Sequence, residues 1–248
     1  MKIPTPPIVK SYISFLRKLV GVMRIFRKYG YERSVWILTY LEESLGGYHS
    51  RMSKLPFDKN NDPLPWYTYP AIAFLDQLDF TGCRVFEYGS GNSSKFWSER
   101  SLSVTSVEIN HDWYQTVLND LSPNNSLIYA PSAEEYVTSI KKSSLHYDVI
   151  VVDGSFRFDC AGEAVKKLSL GGVIILDNSD WYPSTARYLR DMGFCQVDFI
   201  GTGPLNSYAW CTSILFLGDI RIPRKHIDRP INVIDGLIQT GADDRPML

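Results

Sequence analysis

Four apolar runs in this chain carry an acid at or near their end. Glu87 sits in Arg84-Val-Phe-Glu-Tyr88, and Glu108 closes Val104-Thr-Ser-Val-Glu108. Asp153 closes Asp148-Val-Ile-Val-Val-Asp153, and Asp177 closes Gly172-Val-Ile-Ile-Leu-Asp177. The first run leads into Gly89-Ser90-Gly91, two glycines two apart, which let the backbone turn sharply and approach a ligand with no Cβ in the way. Glu108 follows Glu87 by 21 residues. An acid at the tip of the second strand can accept both hydroxyls of a ribose. A Gly-x-Gly alone is equally well a tight structural turn. Joined to an acid at the next strand tip, it signals a nucleoside site.

The details narrow the nucleoside. A phosphate-cradling loop needs Gly-Lys-Ser/Thr at the helix start, and Ser93-Ser94-Lys95 is not that. A dinucleotide fingerprint wants a third Gly or Ala where Ser94 stands. Glu87 is awkward beside a pyrophosphate and suits a cation. S-adenosylmethionine has a sulfonium and an ammonium, and no phosphate.

Glu87-x-Gly89-x-Gly91, then Glu108, then the tips Asp153 and Asp177 resemble the successive motifs of class I S-adenosylmethionine-dependent methyltransferases. The resemblance covers roughly residues 66–217. It implies an α/β fold, a doubly wound, mostly parallel seven-stranded sheet in order 3-2-1-4-5-7-6 with the last strand antiparallel. It further implies that Glu87, Gly89, Ser90 and Gly91 border the methionine part of the cofactor and that Glu108 holds the ribose. Ser132 and Ala133 would then lie near adenine, and Asp153 near the methyl donor. Trp66-Tyr-Thr-Tyr-Pro70 would close over cofactor and substrate, or else pack as aromatics between linker and core.

Asp153-Gly-Ser-Phe-Arg157 and Asp177-Asn178-Ser-Asp180 follow neighbouring strands in that topology, so their side chains should converge on one cleft. Asp153, Asp177 and Asn178 resemble the magnesium site of catechol-type O-methyltransferases, and three oxygen ligands with room for waters would suit Mg²⁺. Metal-free positioning of the acceptor, with Asp153 orienting or deprotonating it, and simple capping of the following loops stand beside that reading. Arg157 either clamps a carboxylate or phosphate on the substrate or pairs with Asp159 or Glu163. Asn206 and Tyr208 are candidates for the acceptor pocket. The histidines offer little: His111 opens a helix, His146 precedes the fourth strand, and His49 reaches the cleft only if its segment folds over as a lid.

The elements that must position these groups alternate. Helices are expected over Ala71–Leu78, Ser94–Arg100, Asp112–Leu121, Ala133–Lys142 and Asp159–Leu168. Strands are expected over Arg84–Tyr88, Val104–Glu108, Leu127–Tyr129, Asp148–Asp153, Gly172–Asp177, Gln196–Ile200 and Ala209–Leu217. Continuous apolar runs suit strands covered on both faces, and strand-helix alternation means a parallel, doubly wound sheet. With 248 residues, 44% apolar and 21% charged, the chain can build a sizeable core, which excludes disorder and a disulfide-stapled miniature fold. Cys83, Cys160, Cys195 and Cys211 have no paired spacing, so reduced thiols in a cytoplasmic setting are expected.

Lys plus Arg number 26 against 27 Asp plus Glu, a balance that argues against a dedicated nucleic-acid binder. The charge is uneven: residues 1–60 hold 11 Lys/Arg and 4 Asp/Glu. Residues 1–65 read as a basic helical extension and a turn-rich linker (47–65), residues 66–220 as the catalytic domain, and 221–248 as a tail. Within residues 10–28, Arg17, Lys18 and Arg24 break any membrane-spanning run. A cap helix packed on the domain is the first expectation, and peripheral contact with an acidic membrane the second. Oligomerisation stays open. The reading as a whole is methyl transfer to an oxygen of a small molecule or glycan. Aminopropyl transfer, a non-catalytic or membrane-recruited cofactor-binding domain, and an NAD-type oxidoreductase are the alternatives.

Overall fold

The structure, a computed structural model, describes residues 7–226, with side chains from residue 16 onward. Seven strands form one sheet: β1 (Arg84–Tyr88), β2 (Ser103–Glu108), β3 (Asn125–Tyr129), β4 (Tyr147–Val152), β5 (Leu168–Asp177), β6 (Cys195–Gly201) and β7 (Trp210–Phe216). Their order is β3-β2-β1-β4-β5-β7-β6. The pairs β1–β2, β1–β4, β2–β3 and β4–β5 are parallel, while β7 runs antiparallel to both β5 and β6. The expected doubly wound fold and strand order are therefore observed.

The apolar runs are continuous because both faces are covered. Val85, Val149, Val151, Val173 and Ile175 point to one side, against Ile72, Leu75, Phe96 and Trp97. Phe86, Tyr88, Ile150, Val152, Ile174 and Leu176 point to the other, against Tyr136, Ile140, Cys160 and Ala164. That is the two-residue alternation of a strand applied to a sheet with no solvent face. The covering helices are α4 (Tyr69–Leu75), α5 (Asn92–Ser98), α6 (His111–Leu118), α7 (Ala133–Thr138), α8 (Arg157–Lys167) and α9 (Pro183–Asp191). Helix α9 has no counterpart among the expected elements, most boundaries shift by one to three residues, and two shift further. The helix expected through Lys142 tightens into a 3₁₀ turn over Ser139–Lys142, and β5 starts at Leu168, which pairs with Tyr147 before the register shifts.

The N-terminal region departs further. Ahead of the sheet lie α1 (Pro7–Tyr29), α2 (Tyr31–Thr39), a π turn over Tyr40–Ser44, and α3 (Gly47–Ser53). Residues 47–65 are thus no plain linker. Ser50 Oγ donates to the Phe57 carbonyl at 2.8 Å and accepts from the Phe57 N–H at 2.9 Å. Asn92 Nδ2 donates to the Pro56 carbonyl at 2.7 Å, so α5 holds this segment against the sheet domain. The expected cap helix is also corrected: Leu16, Leu19, Val20 and Met23 on α1 remain 40, 46, 52 and 63% exposed. Of the expected tail, Ile222 is buried in the core and the Asp79 N–H donates to the Pro223 carbonyl at 2.7 Å. The rest, from residue 227, lies outside the described residues, as do the side chains of Lys10–Phe15.

The turn after β4 is the tightest joint under the cleft. A Cβ on Gly154 would meet the Tyr136 hydroxyl and stand 3.0 Å from the Tyr88 carbonyl. Tyr136 is buried, so it cannot swing away. Overpacking of this kind costs about 1–3 kcal/mol. Gly154→Ala should lower the melting temperature by several degrees. Adding Tyr136→Phe, which removes the offending oxygen, should recover part of the loss. A double variant no more stable than the sum of the two single losses would refute this packing account.

Candidate functional site

The carboxyl ends of β1, β2, β4 and β5 open into a cavity of about 540 Å³. Its wall brings together Glu87, Gly89, Ser90, Gly91, Glu108, Asp153, Arg157, Asp177 and Asn178. Asn206, Tyr208 and Trp66 join them, as the sequence suggested. Gly89 takes φ +113° and Gly91 φ +151°, values that L side chains rarely adopt. A Cβ at Gly89 would meet the protein only at ordinary contact distance, so backbone conformation rather than protein crowding calls for glycine there.

Glu108 is held from behind. Its Oε1 accepts from the N–H groups of Ile109 (2.9 Å) and Asn110 (2.8 Å), and its Oε2 accepts from Ser90 Oγ (3.0 Å). A carboxylate fixed this way still has lone pairs to offer a ligand. Glu87 lies deeper and is almost fully buried. Its Oε2 has the Ser94 hydroxyl at 2.5 Å and the Ser106 hydroxyl at 3.2 Å, while Ser94 Oγ also accepts from the Gly91 N–H. Burial pushes the Glu87 carboxyl up to about 7; the serine hydroxyls oppose the shift and the Glu108 charge adds to it.

The β4 and β5 tips meet on one guanidinium. Arg157 Nη2 donates to the Asp153 carbonyl and to Asp153 Oδ1, each at 3.0 Å. Its Nη1 donates to the Asp177 carbonyl and to Asn178 Oδ1 (3.1 Å), and its Nε donates to the Gly154 carbonyl (3.1 Å). The Tyr182 ring lies 4.3 Å from the guanidinium carbon. Neither sequence-based role for Arg157 survives. It pairs with Asp153 and not with Asp159 or Glu163, and its donors face the protein, leaving none arranged as a fork for a substrate anion. Glu163 pairs instead with Lys141 and Lys166.

This arrangement also answers the magnesium question. A divalent cation needs several oxygens converging on one point. Here a fixed cation already takes Asp153 Oδ1 and Asn178 Oδ1, and Asp177 Oδ1 is turned toward Trp210 Nε1 (3.0 Å) and Thr212 Oγ1 (2.5 Å). Among the described residues no three His, Cys, Asp or Glu side chains are grouped to hold a metal. The residues present do not fit Mg²⁺. Burial, with the neighbouring Asp177 carboxyl, raises Asp153 well above the usual carboxylate range against the pull of Arg157. Burial likewise lifts Asp177 to about 6, against its hydrogen bonds from Thr212 and Trp210.

Ser132 and Ala133 do not line this cavity. Ser132 caps α7, its Oγ accepting from the Glu135 N–H at 3.3 Å and standing 3.0 Å from Glu135 Oε1. The histidines stay outside as well: His111 packs edge-on against Tyr129, and His49 and His146 are exposed. Sequence reasoning missed Trp113, whose Nε1 donates to the Ser90 carbonyl at 2.9 Å and whose ring covers Gly91. It also missed the roof of Lys54, Leu55 and Pro56 and the rim residue Trp181. For Trp113 the available signal was an aromatic in the first turn of the helix after Glu108. Trp66 is anchored through Thr68, whose N–H donates to Thr212 Oγ1 at 3.0 Å and whose hydroxyl donates to the Phe199 carbonyl at 2.9 Å.

No family model matches the chain, and no curated protein matches it. Solved structures resemble it in fold. A precorrin-6y C5,15-methyltransferase from Geobacter metallireducens GS-15 is 16% identical over 59% of this chain and 87% of its own, with a TM-score of 0.45. An rRNA methylase from Streptococcus thermophilus is 13% identical over 59% and 94%, also at 0.45. SMU.1697c from Streptococcus mutans, in complex with SAH, is 13% identical over 59% and 96%, again at 0.45. At such identities the likeness is one of fold, and the chemistry has to come from the cavity itself.

Glu87 offers a direct check on the electrostatics. Its folded-state value near 7 lies above the ordinary 4.5, so the folded state binds its proton more tightly than the unfolded chain does. The associated stability is present below about pH 4.5 and lost as pH rises through 7. Glu87→Gln should therefore gain on the wild type between pH 5 and pH 8, by up to about 3 kcal/mol. Thermal melts across that range measure the gap. A gap that does not change with pH would remove the buried-carboxyl account.

Proposed function

We propose that this chain binds S-adenosylmethionine and transfers its methyl group to a hydroxyl oxygen of a carbohydrate or other small neutral acceptor. The observation that carries the reading is the pairing of a rigidly held Glu108 with a buried Glu87 around the Gly89–Gly91 turn. Glu108 suits a ribose diol. Glu87 and Asp153 favour a cationic ligand and oppose a phosphate. A cavity of about 540 Å³ is in the range that holds a nucleoside-sized ligand.

When bound, S-adenosylmethionine supplies a methyl already activated on a sulfonium. The protein then has to orient the acceptor, exclude water and take one proton. Asp153 is the proton acceptor: it stands on the cavity wall just past β4, and Arg157 fixes its orientation. Held by Glu108 and the Gly89–Gly91 turn, the cofactor would supply the methyl group, and Asp153 would take the proton that the acceptor hydroxyl gives up. Asn178 and Asp177 shape the adjoining wall. Asp177 also carries the hydrogen bonds that set Trp210 and Thr212.

The acceptor class rests on the rim. Trp66, Trp181 and Tyr208 are 46, 55 and 48% exposed at the cavity mouth. The rings of Trp181 and Tyr208 lie 6.0 Å apart, with the Asn206 and Asn178 amides nearby on the wall. Apolar ring faces beside amides suit the C–H faces and hydroxyls of a sugar. Aminopropyl transfer is less well supported, because Asp153 Oδ1 already pairs with Arg157 and Asp177 Oδ1 with Trp210 and Thr212.

Glu108→Ala should weaken S-adenosylmethionine by about 1.5–3 kcal/mol, the range for charge-assisted hydrogen bonds. Calorimetry with S-adenosylmethionine and S-adenosylhomocysteine measures it, and a wild-type chain that ignores both ligands would falsify the proposal. With a labelled methyl donor and a panel of glycosides, turnover should persist in excess EDTA and fall sharply in Asp153→Asn. Loss of turnover in EDTA that Mg²⁺ restores would return the metal to the site.

A further inference from the structure

The helical pair ahead of the catalytic fold carries a feature that methyl transfer does not use. Over its 23 residues, α1 holds six cations (Lys10, Arg17, Lys18, Arg24, Arg27 and Lys28) and no acid. At 100° per residue, Leu16, Leu19, Val20 and Met23 fall on one face, with Arg17, Arg24 and Lys28 along one of its edges and Arg27 at its C-terminal end. All four apolar side chains are exposed. The neighbouring face, with Val22, Phe26 and Tyr29, meets Ile37 and Leu38 of α2 around an open apolar groove. Val22 and Tyr29 beside that groove are themselves 42 and 57% exposed, so contact with α2 covers little of α1 and leaves the Leu16–Met23 face bare. No helix among the described residues is long and apolar enough to cross a membrane.

We propose that this uncovered face of α1 docks on an anionic lipid bilayer surface. Charge decides between the occupants. A second copy laid face to face would bring six cations of one α1 against six of the other, with no acid on either helix to pair them. A nucleic acid would satisfy the cations and leave four large apolar side chains in water. An acidic bilayer takes both: the apolar residues enter the acyl boundary and the flanking guanidinium and ammonium groups meet lipid phosphates. The surface is independent of the methyl-transfer reading, since none of its residues lines the cavity.

The test is co-sedimentation of the full chain with vesicles of phosphatidylcholine alone and with about one-third phosphatidylglycerol. The chain should pellet with the acidic vesicles, much less with the neutral ones, and should be released as salt rises from about 0.1 to about 0.5 M. Arg17→Ala and Arg24→Ala should each lower partitioning about fivefold. Leu19→Glu combined with Met23→Glu should abolish it, and because these side chains are exposed, melting should be unchanged. Failure of the wild type to pellet would overturn the proposal, as would pelleting that survives the double glutamate variant. So would a wild-type dimer, indifferent to vesicles, that the same variant converts to monomer. Salt-sensitive binding to RNA without binding to vesicles would overturn it too.

Discussion

A single buried guanidinium ties together the two strand ends on which the cleft depends. Arg157 is only 8% exposed, yet it sits in the first turn of α8 with contacts reaching both β4 and β5. Stripping water from a cation is costly, and only partners on nearly every donor offset it. Here the partners are three backbone carbonyls, one carboxylate and one amide oxygen, with an aromatic ring alongside. The carbonyls matter most for geometry. Parallel strands end with carbonyls that have no further strand to pair with, and Arg157 gathers those of Asp153 and Asp177 together. Lysine has neither the reach nor the planar fork to replace it.

That one cation sets the electrostatics of the whole cavity. Glu87, Asp153 and Asp177 all approach the same space, and burial pushes each toward its neutral form. Arg157 offsets part of the charge and spends its donors doing so. An incoming cation restores the charged forms of these acids and is favoured, whereas an incoming phosphate opposes them. Burial, with the Asp177 carboxyl alongside, leaves Asp153 holding a proton more tightly than an ordinary aspartate, and Arg157 opposes that. Ligand preference and proton affinity are thus two consequences of burying three carboxyls around one guanidinium.

Much of the sheet was legible because its signals are local. A run such as Asp148-Val-Ile-Val-Val has few alternatives to a strand covered on both faces, and Gly89-x-Gly91 followed by Glu108 lies on strand tips that topology brings together. What escaped was long-range. Arg157 has acids at Asp159 and Glu163 on its own helix, and nothing in the local pattern says it will turn back to Asp153. Ser132 matches an adenine contact by position, yet the acid three residues on makes it equally a helix cap, and the cap is what forms. The turn-rich stretch 47–65 has the composition of a linker. Its role over the cavity depends on one amide, Asn92, finding the Pro56 carbonyl. Amphipathicity in α1 told only that one face is apolar, not what would cover it.

The two halves of the chain also differ in how they satisfy their surfaces, and this bears on how the molecule works. From Leu64 to Ile222 large apolar side chains are buried on both faces of the sheet, and four exposed aromatics, Trp66, Trp113, Trp181 and Tyr208, line the cavity, while Phe156, Phe158 and Tyr182 are exposed beyond it. In α1 and α2 the reverse holds, with Met23, Trp36 and Leu38 at least half exposed. Isolated exposed apolar residues need no explanation, whereas a contiguous set bordered by like charges does. Between these regions runs the segment that packs Ser50 on Phe57 and Pro56 on Asn92, reaching the cavity wall at Lys54, Leu55 and Pro56. The roof of the site is therefore continuous in the chain with the helical pair. Along the chain, only the turn at Tyr40–Ser44 and α3 separate the exposed pair from the cavity wall.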